Sequence, residues 1–197
     1  MRILFATANP GKLREAAEVL GPDYEVVSPA SMGITEDIPE TGSTLLENSL
    51  QKAKYLFGRT GLPCFADDTG LEVDALGGAP GIYSARYAGP GHDSQANMDK
   101  LLKELEQLIS VPDDRRARFR TVVTLILADG EPHFFEGVCE GAIAREKHGA
   151  GGFGYDPVFL PDAYPGRTLA EVSEEEKNAV SHRGRALRTM ADWLKSR

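Results

Sequence analysis

The sequence predicts a single-domain α/β protein, residues 1–197, whose sheet is at least partly antiparallel. An apolar run at the N-terminus leads through a turn into a helical pattern, which starts an alternating order of strands and helices. Farther along, two β-rich runs flank Asp129 and Gly130, a pair that favours a tight hairpin. The length of 197 residues, 41% of them hydrophobic and 26% charged, suits one sizeable globular core.

The first third of the chain contains the clearest alternation of strand and helix patterns. The run RILFAT predicts a strand, the turn ANPGK follows, and KLREAAEVL has apolar residues at helical spacing. YEVVSP predicts a second strand, and ASMGITEDIPETG predicts an acidic loop. A helix is then predicted from Thr44, which has capping-box spacing to Glu47, as far as Gly58, where we expect it to stop.

The segment FADDTG combines a buried strand with two adjacent acids. We predict that the strand ends in Asp67 and Asp68 and that the chain turns at Gly70. Adjacent residues of a regular strand point to opposite faces, so only one of the two carboxylates can reach a cleft and the other needs a partner elsewhere. The alternative is that both acids only form the turn.

The rest of the chain is predicted to alternate loops with helices and strands. A glycine- and proline-rich functional loop (71–91) precedes a helix from Ser94, its expected cap, to Ile109. The hairpin around Asp129 follows, then the loop GAGGFGYDPVF. A capped helical start, SEEEKNAVSHRG, and a final amphipathic helix end the chain.

Composition limits the partners and the compartment. The formal net charge of -8 opposes broad binding to DNA, RNA or anionic membranes, because such binding needs clustered cations. Cys64 and Cys139 lie far apart in sequence and suggest a reducing compartment. The N-terminus has no signal-peptide pattern and no run reaches membrane-spanning length, so we expect the cytoplasm.

The turn after the first strand has features that suit phosphate. The turn Thr7–Lys12 lies between a strand and a helix N-terminus, where backbone N–H groups and a lysine suit phosphate. Taken alone it could be an ordinary turn, and Lys52, Lys177, His182 and Arg183 could be surface cations.

Two other segments offer an aromatic ring and a pair of carboxylates. In FGYD, Phe153 offers a ring beside glycines that let a flat ligand approach, although Phe153 and Tyr155 could equally belong to the core. Glu40 and Asp68 come from separate segments and, if they converge, would bind a hard cation such as Mg²⁺.

The order of these motifs resembles the inosine triphosphate pyrophosphatase family. TANPGK, ETG followed by EN and KA, ADDTGLEVDALGGAPGIYSARYAG, GGFGYDPVF and EEKNAVSHRGRAL span nearly the whole chain. The resemblance implies hydrolysis of non-standard purine nucleoside triphosphates, such as inosine and xanthosine triphosphate, to the monophosphate and pyrophosphate. It also implies a long mixed central sheet with flanking helices, two lobes around an active-site cleft, and a homodimer.

The resemblance assigns site residues one by one. Glu40 and Asp68 would bind Mg²⁺, Asp68 would also be the base for the attacking water, and Asp67 could support the same site. The residues expected to bind the substrate are Thr7, Ala8, Asn9, Pro10, Gly11, Lys12, Lys52, Thr69, Phe153, Gly154, Tyr155, Asp156, Lys177, His182 and Arg183.

Three other functions compete with this hypothesis. A related septum-inhibitor-like pyrophosphatase would prefer other nucleotides, and the SHR near the C-terminus favours the purine family instead. A non-catalytic nucleotide sensor would not need the intact acidic pair. An RNA-binding protein is disfavoured by the net charge.

Overall fold

The computed structural model describes residues 1–108 and 114–197, and within these ranges it has five α-helices and one seven-stranded sheet. The strands are β1 (Arg2–Phe5), β2 (Glu25–Val27), β3 (Cys64–Val73), β4 (Pro80–Gly81), β5 (Arg116–Ile126), β6 (Pro132–Ile143) and β7 (Phe159–Pro161). The helices are α1 (Pro10–Leu20), α2 (Leu45–Thr60), α3 (Ser94–Gln107), α4 (Glu174–Val180) and α5 (His182–Lys195). Across the described part of the chain, no helix combines the length and apolarity needed to cross a membrane.

The sheet is mixed, as the sequence predicts. Its strand order is β2-β1-β3-β5-β6-β7, and β4 pairs with β3. Strand β1 runs parallel to β2 and β3, whereas β3 with β4 and β6 with β7 are antiparallel pairs. The predicted hairpin is present, because β5 and β6 are neighbours joined through a turn at Gly130. The α/β fold class is therefore confirmed.

The chain divides into two compact units. The first comprises Met1–Asp68, Thr121–Gly137 and His182–Arg197; its core packs β1 and the C-terminal half of β5 against α1, α2 and α5. The second comprises Thr69–Arg120 and Val138–Ser181, with a core that includes Leu71, Met98 and Phe159. The assignment of 1–197 to a single domain stays a prediction.

Strand β3 is longer than predicted. The expected turn at Gly70 is wrong, because the strand continues to Val73, and Leu71 and Val73 are buried in the core of the second unit. Leu71 pairs with Gly81 of β4, so the backbones approach closely here. A Cβ at Gly70 would lie 2.6 Å from the Gly81 carbonyl oxygen, which shows why a glycine follows the acids without ending the strand.

Two helix ends also differ from the predictions. Helix α2 passes through Gly58 and ends before Gly61, which has the left-handed conformation (φ 64°). Thr44 caps its start as expected, but the Glu47 carboxylate accepts from Ser43 instead of closing the capping box. Helix α3 is capped by the side chain of Asp93, not by Ser94, and the predicted end at Ile109 lies outside the described residues.

Candidate active site

The turn Thr7–Lys12 connects β1 to α1 and is closed by its own side chains. Asn9 caps the helix, with its Oδ1 accepting from the backbone N–H groups of Gly11 at 2.8 Å and Lys12 at 3.3 Å. The Asn9 N–H in turn donates to Thr7 Oγ1 at 3.1 Å. The side chain of Lys12 extends from the turn to Asp67, so this turn is tied directly to the acidic end of the first unit's β3 segment.

Asp67 is the buried counter-ion of two cations. Its carboxylate is 1% exposed and accepts from Lys12 Nζ at 3.1 and 3.0 Å and from Arg183 Nε at 2.9 Å. Burial alone would raise the pKa of Asp67, but the charges of Lys12 and Arg183 outweigh it and keep the pKa far below the usual range. Asp67 is therefore a charged partner of both cations at neutral pH.

Arg183 has a second acidic partner, which the sequence reasoning missed. Its Nη1 donates to Glu15 Oε2 at 3.3 Å, and the arginine is 7% exposed. Burial opposes its charge, yet Asp67 and Glu15 raise the pKa of Arg183 above its ordinary value. Glu15 lies three residues after Lys12 on α1, a helical spacing that could have indicated a shared face.

Asp68 has different partners from Asp67, as expected for the next residue in a strand. Its Oδ1 accepts from Lys52 Nζ at 3.2 Å and its Oδ2 accepts from the Asn48 amide at 3.2 Å. Lys52 also donates to Glu40 Oε1 at 2.5 Å, so one ammonium joins the two predicted metal ligands. Burial and the charge of Glu40 raise the pKa of Asp68, although Lys52 acts in the opposite direction.

Lys52 stays charged despite its burial. It is 7% exposed, which by itself would lower its pKa, but the nearby carboxylates of Asp68, Asp67 and Glu40 raise it above the ordinary value. We call the six side chains of this region the carboxylate cluster. They are Lys12, Glu40, Lys52, Asp67, Asp68 and Arg183, all in the first unit.

The donor set around Lys52 fits a metal that also binds phosphate. Nowhere in residues 1–108 and 114–197 do three His, Cys, Asp or Glu side chains gather as a metal centre. Mg²⁺, however, is commonly bound by one or two carboxylates together with substrate phosphates and water. Glu40 and Asp68, joined through one lysine, supply two such carboxylates.

A cavity of about 600 Å³ opens within the first unit beside this cluster. Its walls combine the Thr7–Lys12 turn with the segment from Ser28 to Glu40. The predicted site residues among its lining are Thr7, Ala8, Pro10, Lys12, Glu40 and Lys52, together with Asp67. The cavity therefore brings the predicted phosphate turn, a predicted metal ligand and two lysines to one surface.

A separate group of predicted site residues lies in the second unit. Phe153 is 67% exposed, and Lys177 Nζ lies 4.1 Å from the centroid of its ring. Asp156, 4% exposed, accepts from the Phe153 backbone N–H at 2.8 Å and from Lys177 Nζ. We call Phe153, Asp156 and Lys177 the Phe153 cluster; it presents an exposed aromatic ring with a cation beside it.

Of the remaining predicted residues, one belongs to the core, one forms a turn, and two are located by the elements that contain them. Tyr155 is a core residue, 5% exposed, and its hydroxyl donates to the Ser84 carbonyl at 2.7 Å. Gly154 has the left-handed conformation (φ 61°) that the turn after Phe153 requires. Thr69 follows Asp68 in β3, and His182 is the first residue of α5, directly before Arg183.

Asn48 is the other site residue that the sequence reasoning missed. It is 1% exposed and bonds directly to Asp68. The signal was available, since Asn48 precedes Lys52 by four residues on α2 and the two therefore share a helix face.

The comparisons with known proteins agree over nearly the full chain. The Ham1 family model matches residues 3–193. A dITP/XTP pyrophosphatase from Porphyromonas gingivalis is 53% identical over 193 residues, covering 98% of this chain and 97% of that protein. One from Yersinia pestis is 49% identical, covering 98% of each. The structure of a HAM1 protein from Coxiella burnetii matches with a TM-score of 0.93 at 40% identity, covering 100% of both chains.

Proposed function

The chain belongs to the Ham1 family, and we propose that it hydrolyses the non-standard purine nucleoside triphosphates ITP, dITP and XTP to monophosphate and pyrophosphate. The observation that carries this proposal is the contact of Lys52 with both Glu40 and Asp68 beside the cavity that Lys12 also lines. Two cations and two carboxylates in one place suit a polyphosphate and the base that activates water. The activity removes deaminated purine nucleotides before they enter DNA or RNA.

The cationic side chains would bind the phosphates. Lys12 and Lys52 are charged and lie beside the cavity, so their ammonium groups would offset the charge of the outer phosphates, which leave as pyrophosphate. Binding at the backbone N–H groups of Gly11 and Lys12 would replace the capping bonds that they now make to Asn9. When bound, Mg²⁺ would supply further neutralisation and polarise the phosphoryl oxygens.

Asp68 would act as the general base. The attacking water forms a bond to the α-phosphorus through its oxygen, the bond from that phosphorus to the α,β-bridging oxygen breaks, and Asp68 accepts the water's proton. Its raised pKa suits this role, because a more basic carboxylate takes up a proton more readily. Asp67, with its lowered pKa and two cationic partners, is suited to fix the site instead.

The Phe153 cluster would bind the purine. One face of the Phe153 ring is approached by Lys177, and the other could stack on the base. Contacts of Tyr155, His182 and Arg183 with the nucleoside stay predictions. Two Arg183 donors contact Asp67 and Glu15, so a role in fixing Asp67 is an alternative to reading the base.

Two further predictions concern the surroundings of the enzyme. A homodimer is proposed from the family resemblance, and light scattering would show a mass of twice 21.3 kDa. The cytoplasm is proposed because Cys64 and Cys139 are both buried and are not joined in a disulfide, as expected in a reducing compartment.

A nucleotide panel tests the proposed function directly. Each nucleotide is incubated with the protein, with and without Mg²⁺, and the first products are identified by ³¹P NMR. We expect monophosphate and pyrophosphate from ITP, dITP and XTP, and much less from ATP. Initial release of orthophosphate would place the attack at the γ-phosphorus and contradict the proposal, and binding without hydrolysis would favour the nucleotide sensor.

A further inference from the structure

Asn48 joins the two segments that supply the predicted metal ligands. Its side chain is buried on α2, between the start of the loop that follows Glu40 and the carboxylate of Asp68. The amide Oδ1 accepts from the Gly42 backbone N–H at 2.8 Å, and Nδ2 donates to Asp68 Oδ2 at 3.2 Å. One side chain thus contacts both segments.

The orientation of this amide is determined by its partners. A backbone N–H can only donate, so the oxygen must face Gly42, and the NH₂ group is then directed at the carboxylate. Gly42 makes this approach possible, since a Cβ there would lie 2.9 Å from Asn48 Oδ1 and 2.6 Å from the Cβ of Glu47. The glycine of ETG and the asparagine of EN therefore depend on each other, because Gly42 leaves the space that the side chain of Asn48 occupies.

The two oxygens of Asp68 have different donors. Oδ1 contacts Lys52, which also contacts Glu40, while Oδ2 contacts Asn48. Two donors on two oxygens fix the plane of the carboxylate. Lys52 can exchange partners when phosphate enters, because its flexible side chain already serves two carboxylates. Asn48 has no charge for phosphate to compete for, and its contact to Asp68 can persist.

We propose that Asn48 is a positioning residue for hydrolysis, fixing the Asp68 carboxylate and the segment that carries Glu40 in one arrangement. The proposal rests on the function proposed above. Asn48 itself does not touch the reacting atoms; it acts through Asp68 and through the backbone at Gly42. Groups that orient metal ligands in this way typically change metal affinity or activity by about 10- to 100-fold when they are replaced.

Two substitutions separate the contacts of Asn48. Asn48→Ala removes both contacts, whereas Asn48→Asp keeps an oxygen for the Gly42 N–H but removes the donor to Asp68. The matched control is Ser49→Ala, the next residue on α2. Ser49 is fully buried and shares a 2.7 Å hydrogen bond with Thr124, so the control loses a buried polar contact on the same helix without touching Asp68.

Three readouts test the proposal: kcat and KM for ITP, Mn²⁺ affinity without nucleotide measured by electron paramagnetic resonance, and the melting temperature. We expect both Asn48 variants to lower kcat, and Asn48→Ala to weaken Mn²⁺ binding, by about 10- to 100-fold. KM should change much less. Ser49→Ala should lower the melting temperature and leave kcat and Mn²⁺ affinity close to those of the wild type.

The outcomes distinguish this proposal from the function on which it rests. If both Asn48 variants match Ser49→Ala in kcat and Mn²⁺ affinity, Asn48 is only structural and the proposal is overturned. If Asn48→Ala does not fold, the kcat of Asn48→Asp is compared with that of Ser49→Ala, and equal values overturn the proposal. If the wild type itself releases no pyrophosphate, the proposed function fails, and the Mn²⁺ affinities of the variants then decide the positioning role.

Discussion

The adjacent acids Asp67 and Asp68 differ because each points to its own set of partners. Asp67 is surrounded by the charges of Lys12 and Arg183, which lower its pKa. Asp68 is paired with one lysine that it shares with Glu40, and burial raises its pKa. A pair of neighbouring carboxylates with opposite shifts can divide two tasks, since one stays charged while the other can take up a proton.

Asp68→Asn should separate activity from stability. Loss of a general base typically costs ~10²- to 10⁴-fold in rate, and we expect this loss in kcat. Because burial raises the pKa of Asp68 in the folded protein and Lys52 keeps Glu40 as a partner, removing the charge of Asp68 should cost less stability at neutral pH than removing the charge of Asp67. Steady-state kinetics at saturating Mg²⁺ and thermal unfolding measure the two effects.

Near-normal turnover of Asp68→Asn would move the base to another residue, with Asp67 as the first candidate. A large fall in the melting temperature would instead show that the charge of Asp68 stabilises the fold, against the direction of its pKa shift.

Asp67→Asn, in contrast to Asp68→Asn, should cause a large loss of stability. It leaves the charges of Lys12 and Arg183 without their shared partner, and breaking a buried ion pair in this way costs about 3–5 kcal/mol. The lowered pKa means that this contribution is complete above the ordinary value of 3.8 and is lost as the pH falls towards the folded-state pKa.

Urea unfolding of the wild type and Asp67→Asn between pH 3 and pH 7 measures this contribution. The difference in unfolding free energy should be constant near neutral pH and should narrow below about pH 4, where the unfolded carboxyl takes up its proton. A difference that does not change with pH would mean that the shape of Asp67, and not its charge, stabilises this region.

At the scale of elements, periodicity predicted the helices but not their ends. Helices α2 and α5 each bury one face, and a buried face appears in the sequence as apolar residues at helical spacing. These helices can therefore be predicted from the sequence. An end depends on caps and on tertiary contacts. Asp93, and not Ser94, is the cap of α3, and β3 continues past Gly70 because Leu71 and Val73 are buried in a core and β3 pairs with β4.

The same limit applies to the predicted site. Lys12 and the acidic doublet were predicted from their places beside a turn and at a strand end, whereas Lys52 was assigned through the family resemblance. Glu15 and Asn48 were missed because their roles depend on contacts with residues distant in sequence, Arg183 and Asp68. Helix spacing places each of them beside a predicted residue, but it does not identify the distant partner.

Gly58→Ala should stabilise the protein, since Gly58 lies inside α2 instead of at its end. A Cβ at this position meets no atom within 4 Å, so alanine fits without strain. Replacing a helix-interior glycine by alanine stabilises by roughly 0.5–1 kcal/mol. The matched control is Gly61→Ala, where φ is 64° and an L-residue is expected to cost about 1–2 kcal/mol.

Urea unfolding of both glycine variants provides the measurement. Opposite signs of the change in unfolding free energy are expected. A destabilised Gly58→Ala variant would contradict the continuous helix and restore the predicted end at Gly58.

At the scale of the whole molecule, an anionic chain must bind an anionic substrate. The formal net charge is -8, yet three buried or half-buried cations, Lys12, Lys52 and Arg183, gather in the carboxylate cluster. Their charges are balanced internally by carboxylates, so an incoming triphosphate competes for them with groups of the protein.

The proposed phosphate contacts and the proposed stacking of Phe153 on the base should be measurable separately. Inorganic tripolyphosphate has the phosphates of ITP without the base, so its inhibition constant reports on the carboxylate cluster alone. Lys12→Ala should weaken both tripolyphosphate inhibition and ITP binding. Phe153→Ala should raise KM for ITP by about 5- to 150-fold, the equivalent of ~1–3 kcal/mol for stacking of one base, without changing the tripolyphosphate constant.

The matched control is Phe134→Ala, which truncates another exposed phenylalanine, 44% exposed, outside both clusters. It should leave both constants unchanged. Because stacking on an aromatic ring acts on any base, Phe153→Ala should weaken the binding of ITP, dITP and XTP alike. If Phe153→Ala weakens tripolyphosphate as much as ITP, the ring serves the phosphates or the fold, and the proposed division between the clusters is wrong.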